Sequence, residues 1–515
     1  MMMLPAMLVS AIPQSDDYIR ILPELVLSAF GILIMILDPL VDEEKSQKTL
    51  GVIGFIGGLA GLASTWYMSQ QPLGLAFSGT IRVDGFSIFF SYLVIAIAAV
   101  VILSSFEYMA VQKIRAGEYY ALILFGTVGM VLMSSAVELV LIFIGLEISS
   151  ISTYILAGFR RNEASSSESS LKYFLLGSFA TAFFLYGVAL MFGAKGSTNV
   201  ETIGQKLQAA PVEVLVYLAM ALMFVGLGFK VAAAPFHIWT PDVYEGAPAP
   251  VVGFMSTAPK AAAFAVLLRI VFAINAPGRF WFLWVAAALS MTIGNVGALV
   301  QNNIKRLLAY SSIAHAGYLL VAFAMTTPEN STTGIAAAMF YTAAYAAMNV
   351  GAFAVVSHFA NAGERYVTLE DYEGLGRSSP LLAAVLTVFL LSLIGIPMTG
   401  GFFAKFYVFS AALRANLIWL TLIGVVNSAI GAYYYLRIIV VMYMRESRKE
   451  VPVNSVPLGL GVALAISILA TLYLGILPNR VLHAAQQSAQ NLTVPQPPLP
   501  ANVAETPRPA STPAP

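Results

Sequence analysis

The sequence predicts an all-α polytopic membrane protein with about 14 transmembrane helices, and two observations lead to this fold class. Hydrophobic residues make up 59% of the 515 positions, whereas Asp, Glu, Lys and Arg make up only 10%, far from the composition of soluble globular domains. Apolar runs of about 20 residues recur along the chain, and each could cross the ~30 Å hydrocarbon core as a helix. The net charge of +1 gives no reason to expect nucleic acid as a partner.

The predicted spans are separated by glycines, prolines and clusters of charge. They lie near 19–38, 49–69, 85–105, 119–135, 138–157, 171–194, 212–235, 250–272, 280–301, 306–325, 333–358, 380–413, 417–443 and 456–477. The loops after odd-numbered spans hold more Lys and Arg than the opposite loops, Arg160 and Arg161 among them. The positive-inside bias therefore predicts that both termini lie on one side and face away from the cytoplasm.

Two of these spans carry helix-breaking residues at membrane depth. Pro235 follows Lys230 in the seventh span, and Pro397 and Gly400 interrupt the twelfth ahead of Lys405. Proline cannot donate a backbone hydrogen bond, and non-helical backbone is tolerated inside a membrane only within protein or beside water. Two interrupted segments in corresponding halves of a chain are typical of inverted-repeat transporters and of their binding sites.

Ionisable side chains inside the spans are the candidate functional residues, because a charge at mid-helix costs about 2.5–3.5 kcal/mol or more. The five such residues are Glu147, Lys172, Lys230, Lys260 and Lys405. His237 and His315 are predicted to lie on the same polar path, since His315 stands with Ser311 and Ser312 in an apolar helix.

Each candidate also has a purely structural interpretation. Lys172 and Lys230 lie near the ends of their apolar runs, so their ammonium groups could reach the membrane interface. A buried histidine could simply bond to a helix carbonyl. Lys260 is the hardest to explain in this way, because it lies near mid-span directly after Pro259.

The candidates fit proton transfer better than an enzymatic active site. A lysine that alternates between a carboxylate partner and apolar surroundings would alternately hold and release a proton, since burial disfavours charge and an opposite charge favours it. Histidines, serines and internal water can carry protons between such groups. The chain has no Cys, which excludes disulfides and Cys-ligated iron–sulfur clusters, and it shows no metal-site spacing, phosphate-binding loop or nucleophile motif.

The sequence contains the stretches "FIGLEISSISTYIL", "GFKVAAAPFHIWTPDVYEGAPAPVVGFMSTAPKAAAF" and "NIKRLLAYSSIAHAGYLL". Together they resemble the antiporter-like membrane subunits of respiratory complex I and of its photosynthetic relative, the type-1 NAD(P)H dehydrogenase. The resemblance extends over nearly all of the chain except its Pro-rich tail. It implies two inverted five-helix repeats with broken seventh and twelfth helices, in agreement with the interruptions at Pro235 and Pro397.

The resemblance also implies a domain organisation. It predicts an N-terminal three-helix segment at 1–118, a first inverted repeat at 119–272, a second at 273–443 and a last helix at 444–483. The composition, rich in Pro, Ala and Thr, predicts a disordered tail at 484–515.

The resemblance assigns roles to individual residues. Glu147 matches the glutamate of the family's fifth helix, Lys230 its paired lysine on the seventh, Lys260 the central lysine of the eighth and Lys405 the terminal lysine of the twelfth. A lysine at the last position, with only a short tail after residue 477, resembles the subunit 2 type. That type also has a lysine on its sixth helix, which Lys172 matches.

The function that the resemblance implies is proton translocation within an NAD(P)H- or ferredoxin-quinone oxidoreductase complex. Quinone reduction elsewhere would move Glu147 relative to Lys230, and a proton would pass by way of His237 and Lys260 toward Lys405, with His315 on the path. This chain would bind no cofactor, while iron–sulfur clusters and quinone would belong to other subunits. Other membrane subunits, including further antiporter-like ones, and lipids are the expected partners.

The stretch "GERYVTLEDYEGLGRSSP" is most similar to cyanobacterial and chloroplast versions of the family. This similarity predicts a thylakoid complex that reduces plastoquinone, with both termini on the lumenal side. Two other functions stay open. The chain could belong to a multisubunit sodium/proton antiporter, or it could be a membrane scaffold whose charges only hold helices together.

Overall fold

A computed structural model of the protein describes residues 15–209, 212–274, 279–325, 328–360, 362–447 and 455–493, and these residues are almost entirely helical. The helices of the first half are α1 (Ser15–Arg20), α2 (Leu22–Leu37), α3 (Glu43–Ser69), α4 (Gly85–Val111), α5 (Gly117–Ser135), α6 (Leu139–Ala157), α7 (Ala164–Lys195), α8 (Val200–Ala209), α9 (Val214–Val231), α10 (Trp239–Gly246), α11 (Ala249–Met255) and α12 (Ala258–Ile274). Those of the second half are α13 (Arg279–Leu299), α14 (Ile304–Phe323), α15 (Pro328–Ala360), α16 (Leu375–Ser378), α17 (Pro380–Ile394), α18 (Gly400–Arg414), α19 (Ile418–Met444), α20 (Leu458–Ile476) and α21 (Pro478–Thr493). A short antiparallel hairpin of β1 (Gly74–Ala76) and β2 (Ile81–Val83) pairs Leu75 with Arg82.

The membrane-spanning helices agree with the predicted fold class. Within the described residues, thirteen helices are long and apolar enough to cross a membrane. The remaining predicted span, 380–413, is divided between the shorter helices α17 and α18. Large apolar side chains point away from the protein on many of these helices, as at Phe179 and Trp419, which suits a surface that meets lipid. The all-α polytopic class is therefore confirmed.

The predicted break in the seventh span is confirmed. Helix α9 ends at Val231, where Ala232 takes a left-handed conformation with φ of 60°, and the chain stays non-helical as far as Trp239. The end of α9 is closed by its neighbours: the Ala233 N–H donates to the Gly228 carbonyl, and the Trp239 indole N–H donates to the Phe229 carbonyl over 3.0 Å. These bonds satisfy carbonyls that the interrupted helix would otherwise leave without donors.

The predicted break in the twelfth span is also confirmed, and it depends on glycine. Helix α17 ends at Ile394 and is capped by Gly395, whose φ of +95° lies in the region that favours glycine. The chain becomes helical again at Gly400. A Cβ placed on Gly401 would come within 1.8 Å of the Ser392 carbonyl oxygen, so only glycine lets the two half-helices approach this closely.

A third interruption was not predicted. Helix α11 ends at Met255 and α12 begins at Ala258, so the helix that carries Lys260 starts only two residues before it. The Asn349 amide of α15 donates to the Ser256 hydroxyl inside this break over 2.7 Å.

The loops meet on two opposite faces, as alternating spans require. Loops after odd-numbered spans contact each other through Arg115 with Asp38, Arg160 with Glu364 and Arg445 with Glu373. On the other face, Arg20 donates to the Leu75 carbonyl of the hairpin, Arg82 pairs with Glu201, and Lys195 pairs with Glu213. Which compartment each face meets stays a prediction.

The predicted start of the disordered tail is wrong. Residues 484–493 belong to α21, which packs against α15 and α4 and buries Ala485 and Ala489. Small side chains on one side of this helix fit its close packing, whereas the prediction weighed only the Pro-rich composition beyond it. Residues 494–515 lie outside the described part of the chain, and the predicted repeat boundaries at 119, 273 and 443 stay predictions.

Candidate functional site

Lys230 lies in the last turn of α9 and is 3% exposed. Its ammonium donates to the Ser150 hydroxyl of α6 over 2.9 Å and to the Tyr173 hydroxyl of α7 over 3.5 Å. The same ammonium is 5.6 Å from the ring centroids of both Tyr154 and Tyr173. Neutral hydroxyls and aromatic rings therefore surround this buried amine.

Glu147 lies on the same helix as Ser150, one turn earlier, but it does not bond to Lys230. Its Oε1 is buried and accepts no hydrogen bond, and no ion pair joins it to Lys230, although both residues are within the described part of the chain. The predicted Glu147–Lys230 pair is thus not in contact in this conformation, because Ser150 and Tyr173 take up the ammonium. Glu147 stays near the ammonium all the same, because it lies one turn from Ser150 on the same face of α6.

A stack of aromatic rings separates Lys230 from Lys260. Trp239, at the start of α10, lies 4.4 Å from the ring of Tyr173 and 6.1 Å from that of Tyr244. Lys260 in turn lies 5.9 Å from the Tyr244 ring centroid. No chain of hydrogen bonds between described residues crosses this stack, so a proton would have to pass around it.

His237 lies in the non-helical segment between α9 and α10, where it is half-buried. Its Nδ1 is buried and has no hydrogen-bond partner. The structure therefore places His237 beside the break, but it does not join this imidazole to Lys230 or Lys260 by a direct bond.

Lys260 and His315 are brought together by helix α14. The Lys260 ammonium, 3% exposed, donates to the Ser312 hydroxyl over 2.6 Å, and the Tyr345 hydroxyl of α15 donates to the same oxygen over 2.8 Å. His315 follows Ser312 by one turn of α14 and stacks against the Tyr345 ring at 5.1 Å.

His315 itself is held between two tyrosine hydroxyls. Its Nδ1 is 2.7 Å from the Tyr341 hydroxyl, and its Nε2 is 3.3 Å from the Tyr435 hydroxyl. Neither nitrogen bonds to a helix carbonyl, so the predicted alternative of a simple carbonyl bond does not describe this histidine. A neutral imidazole donates through one nitrogen and accepts through the other, which makes this position able to pass a proton from one side to the other.

Lys405 lies beside the break in the twelfth span. Its ammonium donates to the carbonyls of Leu393 and Ile394 over 3.1 and 2.8 Å and to the Ser428 hydroxyl over 2.8 Å. It is also 5.0 Å from the centroid of the Tyr318 ring. Lys405 belongs to α18, the second half-helix, and its ammonium contacts the C-terminal end of α17, the first half-helix.

Lys172 lies apart from these residues. Its side chain is 42% exposed and pairs with Glu168 over 2.8 Å and with Asp242 over 2.9 Å, and Asp242 also pairs with Arg306. Among the described residues, Lys172 has no contact with the Lys230 ammonium, although its neighbour Tyr173 does. The geometry places Lys172 in a half-exposed ion-pair network near one end of α10.

Sequence reasoning missed most of the groups that hold the lysines and histidines. Tyrosines and serines supply nearly all of these contacts, and in a sequence they resemble ordinary members of an apolar helix. Spacing was the one available signal: Tyr341, Tyr345 and Asn349 recur every four residues on α15, which puts them on a single helix face. A buried pair of Arg269 with Asp84 and a buried cluster around Glu364 were also missed.

Comparison with known proteins agrees with this architecture. A family described as "NADH:quinone oxidoreductase/Mrp antiporter, TM" matches residues 136–431. The chain is 66% identical over 489 residues to a protein of Koribacter versatilis named NADH-quinone oxidoreductase subunit N 2, covering 94% of this chain and 98% of that one. It is 51% identical over 483 residues to NADH-quinone oxidoreductase subunit N 1 of Solibacter usitatus, covering 93% and 98%.

Two solved structures are similar along almost their entire length. A chain of respiratory complex I from Thermus thermophilus superposes with a TM-score of 0.77 at 37% identity, covering 90% of this chain and all of that one. A chain of the Mrp complex from Dietzia sp. superposes with a TM-score of 0.79 at 21% identity, covering 93% and 98%, and at that identity the likeness concerns the fold alone.

Proposed function

The chain belongs to the NADH:quinone oxidoreductase/Mrp antiporter family, and from this premise we propose that it is a proton-translocating membrane subunit of an NADH-quinone oxidoreductase complex. The relatives that match nearly the whole chain at 66% and 51% identity carry the name of such a subunit. The complex I chain at 37% identity supports the same assignment.

The observation that carries the proposal is the environment of three buried lysines. Lys230, Lys260 and Lys405 each bond to a serine hydroxyl, and within the described residues none of their ammonium groups contacts a carboxylate. A permanent ion pair would hold a lysine in its charged form. Neutral partners allow each amine to exist with or without its extra proton, which proton transport requires.

In the proposed mechanism, Glu147 acts as the switch. When Glu147 approaches Lys230, its negative charge favours the protonated amine, and when it withdraws the proton leaves. The proton then passes around the aromatic stack by way of His237 to Lys260 and on through His315 toward Lys405. Lys172 stays a predicted proton-transfer residue for which the contacts give no support.

The proposed electron donor is NADH, following the names of the relatives. The predicted thylakoid complex, with ferredoxin and plastoquinone, finds no support among these relatives, whose names specify NADH and a quinone. We propose that other membrane subunits adjoin this chain in the complex. That iron–sulfur clusters and quinone lie on those subunits, and that lipids fill the interfaces, stays a prediction, as does the side of the membrane that the termini face.

The two alternative functions are less well supported. The likeness to the Mrp complex shows a shared fold at 21% identity, whereas the more similar chains are named as oxidoreductase subunits. A pure scaffold accounts less well for Lys230 and Lys260, because apolar side chains of similar volume would stabilise the packing as well as buried amines without a charged partner.

The test is the variant Lys260→Met in the assembled complex, with proton translocation per electron measured in membrane vesicles. Methionine fills the space of the lysine stem but cannot carry a proton, so we expect pumping to be lost while the complex still assembles. Lys195→Met is the control, since Lys195 is also buried but pairs with Glu213, away from the other buried lysines. Normal pumping in Lys260→Met would exclude the proposed function, and loss of assembly in that variant alone would favour the scaffold.

A further inference from the structure

The connection between His315 and Lys405 is not supplied by any of the candidate residues. Tyr318 lies between them on α14, with its ring 5.6 Å from the imidazole and 5.0 Å from the Lys405 ammonium. Within the described residues, its hydroxyl bonds to neither group and instead accepts a hydrogen bond from the Asn295 amide over 3.0 Å. An aromatic ring carries no proton, so the ring of Tyr318 does not join the two groups.

Helix α19 contacts both groups. Tyr435, which is 1% exposed, places its hydroxyl 3.3 Å from His315 Nε2, and the same hydroxyl bonds to Ser311. Seven residues earlier, Ser428 accepts the hydrogen bond of the Lys405 ammonium over 2.8 Å. A separation of seven residues is about two helical turns, or roughly 10 Å, so Ser428 and Tyr435 lie on one face of α19.

The surface of α19 between these two hydroxyls is polar and closely packed. Gly431 lies one turn from each of them on α19, and a Cβ added there would meet the Asn295 side-chain oxygen at 3.0 Å and the Tyr434 hydroxyl at 3.5 Å. Tyr434 in turn donates to that oxygen over 3.1 Å. Gly431 thus leaves α19 without a side chain between Ser428 and Tyr435, and a hydroxyl and an amide oxygen, the kind of partners that a buried water needs, lie against this position.

We propose that α19 carries the proton between His315 and Lys405, with Tyr435 and Ser428 as its proton-transfer residues; this inference rests on the function proposed above. His315 Nε2 gives its proton to the Tyr435 oxygen as the Tyr435 hydroxyl proton moves on to a water held by the Tyr434 hydroxyl and the Asn295 side-chain oxygen beside Gly431. The Ser428 hydroxyl passes a proton to the neutral Lys405 amine and receives one from that water. Each group gains one proton and loses one, so no oxidant or reductant is needed.

The direct test is Tyr435→Phe, which removes one oxygen and keeps the buried ring. We expect the pumping rate of the assembled complex to fall about tenfold or more, since positioned proton-transfer groups contribute ~10²–10⁴-fold. Tyr119→Phe is the control, because Tyr119 is also fully buried and its hydroxyl also bonds to a serine, Ser105, over 2.9 Å in another part of the bundle.

A second pair of variants covers the case in which Tyr435→Phe fails to assemble. Ser428→Ala should slow pumping in the same way, whereas Ser428→Thr, which keeps a hydroxyl, should restore it. If both hydroxyls serve one path, the double variant Tyr435→Phe/Ser428→Ala should be no slower than the slower single variant.

The outcomes separate this inference from the function on which it rests. If Lys260→Met stops pumping while Tyr435→Phe and Ser428→Ala pump at the normal rate, the route along α19 is wrong and the proposed function stands. If Lys260→Met also pumps normally, the proposed function itself is wrong. If Tyr119→Phe slows pumping as much as Tyr435→Phe, the loss comes from buried packing and the role of Tyr435 is excluded.

Discussion

At the scale of single residues, the contacts of Lys230 recover part of the cost of burying its charge. Burying a charge at mid-membrane costs about 2.5–3.5 kcal/mol or more. One hydrogen bond to a charged group returns about 1.5–3 kcal/mol and cation–π contact about 0.5–2 kcal/mol, and Lys230 has both, from Ser150 and from Tyr154 and Tyr173. Because these partners are neutral, they do not fix the amine in its charged form as a bonded carboxylate would, and the movement of a nearby charge can shift the balance between the two forms.

The residue placed to make that movement is Glu147, which gives a prediction. Its Oε1 has no partner in this conformation, so Glu147→Gln breaks no bond made by that oxygen, and we expect the complex to assemble normally. The variant removes the charge that favours protonated Lys230, so pumping per electron should fall. Vesicle measurements on the same assembled sample test both points, with Glu118→Gln, an exposed partner of Arg161, as the control.

Two other results for Glu147→Gln would contradict the mechanism. Unchanged pumping would exclude Glu147 as the switch. Failed assembly, with Glu118→Gln intact, would mean that the carboxylate has a structural partner in the complete complex.

At the scale of elements, Lys405 caps the C-terminal end of α17, the first half-helix of the broken twelfth span. The last carbonyls of a helix lack intrahelical donors, and its C-terminus carries a partial negative charge. The Lys405 ammonium of α18 satisfies Leu393 and Ile394 at the end of α17, so one lysine both caps a half-helix and is a candidate proton carrier. A side chain that donates hydrogen bonds but cannot release a proton would keep the capping role and lose the proton role.

The second prediction compares Lys405→Arg with Lys405→Met. A guanidinium can still donate to the carbonyls of α17 but does not release a proton in proteins, so Lys405→Arg should keep the helix end ordered and lose pumping. Lys405→Met should lose both, because buried carbonyls without donors cost about 1–3 kcal/mol each. Hydrogen exchange over residues 391–401 reports the helix end, and vesicle assays report pumping.

The proton role of Lys405 would be excluded if Lys405→Arg pumped at the normal rate. If instead Lys405→Met left hydrogen exchange over 391–401 unchanged, the capping role would be wrong.

At the scale of the whole molecule, one buried cluster joins both predicted repeats. The Glu364 carboxylate accepts hydrogen bonds from Lys305 over 2.6 Å, from the Tyr108 hydroxyl over 2.8 Å and from the Ala249 N–H over 2.6 Å, and it pairs with Arg160 at 3.4 Å. Lys305 and Arg160 also donate to carbonyls at the end of α10. The cluster thereby fixes the junction between α10 and α11, on the way to Lys260.

The third prediction concerns stability. Glu364→Gln leaves two buried cations without their anion, and breaking such a pair costs about 3–5 kcal/mol. Thermal unfolding in detergent should show a large loss of stability for Glu364→Gln. The control Glu245→Gln should lose under about 1 kcal/mol of stability, because its pair with Arg306 is half-exposed. Equal losses in the two variants would contradict the structural importance of the cluster.

The same comparison should depend on pH. Burial alone would raise the pKa of Glu364, but the Lys305 and Arg160 charges, with the Lys305 and Ala249 hydrogen bonds, hold it below its ordinary value. The carboxylate therefore contributes its full stabilisation at a pH above its pKa in the unfolded chain, about 4.3. That contribution is lost as the pH falls through the lower pKa of Glu364 in the folded protein. The difference in stability between Glu364→Gln and the natural chain should shrink only in that acidic range.

The sequence by itself determined the membrane class, the approximate positions of the spans, the two breaks and three of the buried amines, Lys230, Lys260 and Lys405. Hydropathy and the missing N–H of proline act within a few residues, and a lysine in an apolar run is visible without any contact. The third break, ahead of Lys260, was missed although Pro259 signals it: proline has no N–H for the Met255 carbonyl and its ring crowds that carbonyl, so the preceding helix cannot continue.

Tertiary structure alone decided what each buried group contacts. Glu147 looked like the partner of Lys230, yet Ser150 holds the ammonium; Lys172 looked like a member of the path, yet Asp242 and Glu168 hold it. The partners come from helices far apart in the chain, such as α9 with α6 and α12 with α14. Hydrogen bonds and ion pairs depend on distances of a few ångströms between non-neighbouring residues, and only the packing of the helices sets those distances.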